Sequence, residues 1–150
     1  MTPTISVVAS DEQDVHPIDL ERYRHLAQHA LWASALQGEI ELGLLFVSEA
    51  EMSALNRQHM DEDGPTDVLS FPIDDQDTPG PGPRLLGDIV ICPAVAARYA
   101  VEHQRSFDDE LALLVVHGIL HVLGMDHAHP AEEAAMQARQ RDLLESWLPA

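Results

Sequence analysis

From Glu39 to Phe46 the chain alternates, with Ile40, Leu42, Leu44 and Phe46 set against Glu39, Glu41 and Gly43. A period of two puts all four apolar side chains on one face of a half-buried strand. Ile5 to Ala9 reads as a short strand, Thr66 to Pro72 as another and Leu85 to Ile91 as a fourth. Helical spacing takes over elsewhere. Pro17 and Asp19 open a helix carrying Leu20, Tyr23, Ala27, Ala30 and Leu31. Ser48 and Glu51 have the spacing of a capping box for a helix running to about Asn56, and Ser106 with Asp109 repeats that spacing. Pro93 suits the first turn of a helix, and Pro130 starts a last one, acidic at Glu132 and Glu133 and basic later at Arg139 and Arg141. The helix after Ser106 is apolar nearly all round (Leu111, Leu113, Leu114, Val115, Val116, Ile119, Leu120, Val122, Leu123), so it is expected to be central and buried. The segment Asp74 to Pro83, with Pro79, Gly80, Pro81, Gly82 and Pro83, excludes regular structure and is expected to be a variable loop. The pattern predicts an α+β fold: a single domain over residues 1–150, one mixed sheet of about four strands, packed with helices.

Composition narrows what such a domain does. At 150 residues and 45% hydrophobic, the chain can bury a core. No run approaches the ~20 apolar residues of a membrane span, and Met1 to Ser10 lacks the basic and apolar regions of a secretory signal. The one cysteine, Cys92, excludes an internal disulfide and a multi-cysteine zinc cluster, and is expected to be a buried small residue. A cytoplasmic location and no membrane partner follow. Twenty-six acids against eight bases, all arginine, give a formal net charge of −18. By charge alone nucleic acid ranks last among partners.

The chemistry concentrates in His117-Gly-Ile-Leu-His121-Val-Leu-Gly124-Met-Asp126-His127. Residues four apart leave one face of a helix a single turn apart, so His117 and His121 face the same point. Gly124 suits the left-handed conformation that ends a helix, after which the chain can turn back and present His127. Two polar rings in the most apolar helix need partners for their nitrogens, and a shared metal ion meets that need. Three imidazoles with one open position make a catalytic zinc site, whereas a structural site closes the shell. One Zn2+ per chain is expected, on the central helix and the turn after it, although other divalent transition metals accept imidazole. The spacing equals that of the metzincin proteases, H-E-x-x-H-x-x-G-x-x-H, except that Gly118 stands where they carry their general-base glutamate. A metal can itself lower the pKa of a water to about 7, so a metal-activated water can serve as nucleophile without that carboxylate.

The motif His117-Gly-x-Leu-His121-x-x-Gly124-x-Asp126-His127 resembles the signature of the YbeY family, bacterial metal-dependent endoribonucleases. Pro65-Thr-Asp-Val-Leu-Ser-Phe71 and Leu86-Gly-Asp88-Ile resemble further family blocks, and the resemblance covers about residues 40 to 147. It implies an α+β domain of helices on a mixed sheet, the three histidines as zinc ligands, single-stranded RNA as substrate and ribosomal RNA maturation, chiefly the small-subunit 3′ end, as the task. It also implies quality control on the ribosome, with the small subunit as partner and no role for DNA. One position departs: the family pattern has an arginine six residues before the Thr of Pro-Thr-Asp-Val, and here that position is Met60. A guanidinium would suit transition-state charge on a phosphodiester, and Arg57 is the nearest candidate to reach inward.

Asp126 either orients an imidazole through a hydrogen bond or caps the turn after Gly124. Asp88 either faces the metal cleft or points outward from its strand. Arg84 reads as a solvated loop arginine or a phosphate contact. His16, His25, His29, His59, His103 and His129 are read as surface residues outside any ligand pattern, with His129 near enough to the site to compete weakly for metal. Two further readings stay open: a metzincin-like metalloprotease, and a non-catalytic ribosome-assembly factor with a structural metal.

Overall fold

The computed structural model describes residues 3–73, 82–125 and 129–147. Four strands form one mixed sheet in the order β1-β2-β4-β3, where β1 is Thr4–Asp11, β2 Glu39–Phe46, β3 Val68–Pro72 and β4 Arg84–Ile91. β1, β2 and β4 run parallel, and β3 is an antiparallel edge strand on β4. Helices α1 (Leu20–Trp32), α2 (Glu49–Met60), α3 (Pro93–His103), α4 (Phe107–Val122) and α5 (Pro130–Trp147) fill the connections.

The caps follow the sequence. Ser48 Oγ accepts from the Glu51 N–H at 3.2 Å and Ser106 Oγ from the Asp109 N–H at 3.0 Å, satisfying donors that each helix start would otherwise leave bare. α2 runs to Met60, one turn beyond the expected end, and stops where Asp61 takes a left-handed conformation (φ 53°). Asn56, buried on this helix, donates to Gly64 O at 2.9 Å and so ties the following loop to α2. β3 starts at Val68, later than expected, because the Asp67 side chain accepts the Val68 N–H at 2.8 Å in a local turn. Arg84 is the first residue of β4 and half-buried, not a loop arginine. The expected loop 74–83 lies outside the described residues, apart from its last two positions.

Alternation along β2 sends Ile40, Leu42, Leu44 and Phe46 to one face of the sheet, where they pack with α1, α4 and α5 in the main core. A smaller cluster on the other side joins Val47, Met52, Leu69, Val90, Cys92 and Val95, and covers only the end of the sheet near α2 and α3. Burial pushes the Cys92 thiol pKa up, consistent with a packed and unreactive side chain. α4 is the central element. Ten of its sixteen residues are buried, including Glu110, whose carboxylate meets His103 Nδ1 at 2.9 Å and Arg105 Nη1 at 3.0 Å. Among the described residues, no helix is long and apolar enough to cross a membrane.

Candidate metal centre

α4 approaches the sheet through a residue with no side chain. A Cβ on Gly118 would lie 2.7 Å from Ile89 Cγ2, so helix and strand come closer here than any larger residue allows. The Gly118 carbonyl also accepts from Ser70 Oγ at 3.3 Å, which fastens edge strand β3 to the same turn. Successive helical residues are turned by about 100°, so with Gly118 against the sheet the neighbouring His117 faces sideways, toward α5. His121 follows one turn later on the same side.

The two rings converge. His117 Nε2 and His121 Nε2 are 3.1 Å apart, and the ring centroids are 4.6 Å apart at 73°. Nitrogen ligands about 2.0–2.1 Å from a tetrahedral zinc stand about 3.3–3.4 Å from each other, so the observed separation is near that of a shared ion. His117 Nδ1 lies 2.6 Å from Gln140 Oε1 on α5. An amide oxygen only accepts, so His117 Nδ1 carries the proton and His117 Nε2 accepts from His121 Nε2–H, a proton whose place a shared ion would take. Both rings are half-buried, open enough to meet a ligand and enclosed enough to keep their geometry.

Beyond His121 the helix ends as the sequence predicted. Gly124 is left-handed (φ 100°), its N–H bonds to His121 O at 3.0 Å, and the Met125 N–H bonds to Leu120 O at 2.9 Å. This paired closure turns the chain sharply away from the helix axis. The expected third ligand His127 and its neighbour Asp126 lie outside the described residues. Among the described residues no group of three or more His, Cys, Asp or Glu is placed to hold a metal. The pair by itself has the donor chemistry and spacing for an ion.

Other candidates fall elsewhere. Ile89 touches Gly118, and adjacent strand residues point to opposite faces, so Asp88 faces away from α4. Its carboxylate lies over Gly43, at the place a Cβ there would occupy, in a shallow apolar hollow of about 350 Å³ lined by Val8, Leu45 and Leu85. Arg57 is exposed and bonded to Asp63 at 2.5 Å, so it does not reach inward. Met60 is exposed at the end of α2. His16 packs on Phe107 and His59 on Phe71, while His129 is exposed beside the start of α5. His25 and His29 do stand four apart on α1, a spacing the sequence reading passed over, but His29 Nε2 is bonded to Ser146 Oγ at 2.8 Å and no third donor of a metal set joins them among the described residues. Gln140 was missed altogether. Its signal was positional: Met136 and Leu143 are buried on α5, and Gln140 stands between them in the same stripe, four after one and three before the other.

Fold and site define a small α+β protein whose convergent histidine pair lies where its central helix meets its last one. Family and structural comparisons agree on where it belongs. The model of the Endoribonuclease YbeY family matches residues 8–148. Endoribonuclease YbeY of Thermobifida fusca is 46% identical over 147 residues, covering 95% of this chain and 94% of that one. The same-named protein of Salinispora tropica is 48% identical, covering 87% and 88%. That of Mycolicibacterium gilvum is 51% identical over 114 residues, 72% of this chain, and the match spans 64% of that longer protein. The solution structure of TM1509 from Thermotoga maritima superimposes with a TM-score of 0.62 at 26% identity, over 94% of this chain and 91% of that one. This chain belongs to the YbeY endoribonuclease family.

Proposed function

We propose that this protein is an endoribonuclease that hydrolyses phosphodiester bonds in single-stranded ribosomal RNA, using one divalent transition-metal ion, zinc first, held by His117, His121 and His127. The observation that carries the reading is the convergence of His117 Nε2 and His121 Nε2, 3.1 Å apart, with the tautomer of His117 fixed from behind by Gln140. Family membership supplies the reaction class, as the matched relatives bear the name endoribonuclease. When bound, a divalent ion supplies Lewis acidity toward water and phosphate oxygen. The chain's own residues do the rest: α4 fixes the two rings on one face, the Gly118–Ile89 contact fixes α4 on the sheet, and Gln140 fixes the ring plane of His117.

Gly118 also bears on peptide hydrolysis. Its place against Ile89 leaves no room for a glutamate, so the general base of the metzincins has no counterpart at this position. The RNA reading places the protein in the cytoplasm with the small ribosomal subunit as partner and the 3′ end of its RNA as the processed segment. The chain's charge of −18 supports a division of labour in which the ribosome supplies most of the binding and the metal centre the cleavage. Zinc-loaded protein incubated with single-stranded RNA beside casein tests the reading. Cleavage of RNA alone, abolished in His121→Ala, is expected. Cleavage of casein, or inertness toward both, would overturn it, the latter in favour of an assembly factor.

A further inference from the structure

We infer that Gln140 is the positioning residue of the metal centre, holding His117 in the Nδ1–H tautomer so that its Nε2 ligates; this rests on the proposed metal site. Gln140 is half-buried on α5, and its Oε1 lies 2.6 Å from His117 Nδ1, a short contact for an amide and an imidazole. Free neutral imidazole distributes its proton between both nitrogens, and a ring with Nε2–H cannot ligate through Nε2. An acceptor fixed at Nδ1 removes that alternative and also stops rotation about the ring's bond to the chain.

Gln140 is itself held. Met136 and Leu143, each 1% exposed, anchor the same face of α5 one turn to either side, and Arg139 Nη2 donates to Ala33 O at 2.8 Å, locking α5 to the end of α1. Gln140 is a half-buried amide between these two apolar anchors, and His117 is its hydrogen-bond partner. A glutamate there would also accept from Nδ1–H, adding charge to a chain already at −18. The neutral amide fixes the tautomer without that charge.

The test measures zinc affinity by competition with a chromophoric chelator in wild type, Gln140→Leu, Gln140→Glu and His117→Ala. Loss of such an outer hydrogen bond typically costs about 10–100-fold in metal affinity. Gln140→Leu should show that loss while the metal-free protein keeps its circular dichroism and melting temperature, and Gln140→Glu, which retains an acceptor, should restore it. In zinc-loaded wild type, 15N shifts of His117 should show Nδ1 protonated and Nε2 ligated, a readout that stands even where Gln140→Leu does not fold. Zinc affinity of folded Gln140→Leu within twofold of wild type, or ligation through Nδ1, overturns the inference. Absence of zinc binding in wild type, or retention in His117→Ala, instead overturns the metal site on which it rests.

Discussion

A glycine next to a ligand decides much of this site. Without a side chain at 118, α4 can lie on Ile89, and His117 is carried to the side facing α5. A methyl group there meets Ile89 at 2.7 Å, and crowding a packed contact in this way costs about 1–3 kcal/mol. Gly118→Ala should lower unfolding stability by that amount in urea titration and displace His117 enough to weaken zinc binding. The two histidines were legible from the sequence because polar rings in an apolar helix are conspicuous and a four-residue spacing fixes their face. Gln140 was not legible, since an amide twenty-three positions away carries no mark of its partner until α5 is docked. The arginine question is answered differently by structure than by proximity in sequence. Arg57 is 65% exposed and ion-paired with Asp63. Such exposed pairs contribute less than about 1 kcal/mol. Arg57→Ala should therefore leave single-turnover RNA cleavage within about threefold. Met60→Arg adds the donor fork that methionine lacks and should raise the cleavage rate, with metal content unchanged in both variants.

At the scale of elements, α1 and α4 meet through Tyr23, whose ring is buried and whose hydroxyl lies 3.2 Å from Asp108 Oδ1. Burial first, and the Asp108 charge second, raise the Tyr23 pKa well above its ordinary 10.0. The protonated form is favoured in the folded protein, so this group's contribution is complete below about pH 10. It is lost as pH rises from there toward the higher folded-state value, because the unfolded chain releases its proton first. Unfolding free energy should fall on the alkaline side above about pH 10, and Tyr23→Phe should flatten that fall while lowering stability at neutral pH. The elements themselves were largely legible: the four strands, the capped helix starts and the glycine stop at 124 all appear where patterning placed them. Their ends were less so, as at α2, where Arg57, Gln58, His59 and Met60 carry no stop signal before the left-handed Asp61. The order β1-β2-β4-β3 was not legible, because every strand's pattern is compatible with either neighbour and direction until the helices choose a face.

Across the whole molecule the −18 charge sets the terms on which RNA is met. Few phosphate contacts mean little counterion release, so the slope of log K against log salt on naked RNA should be shallow. Filter binding across a salt series checks this, and a steep slope would reveal an arginine-lined groove. The convergent histidines are expected to hold the ion on which RNA cleavage depends. Single-turnover cleavage of single-stranded RNA, with zinc quantified in the same samples, tests it most directly for wild type and His121→Ala. About one zinc per wild-type chain is expected, with metal and cleavage lost together in the variant. Zinc retained at full occupancy in His121→Ala, or cleavage undiminished after the metal is gone, would contradict it.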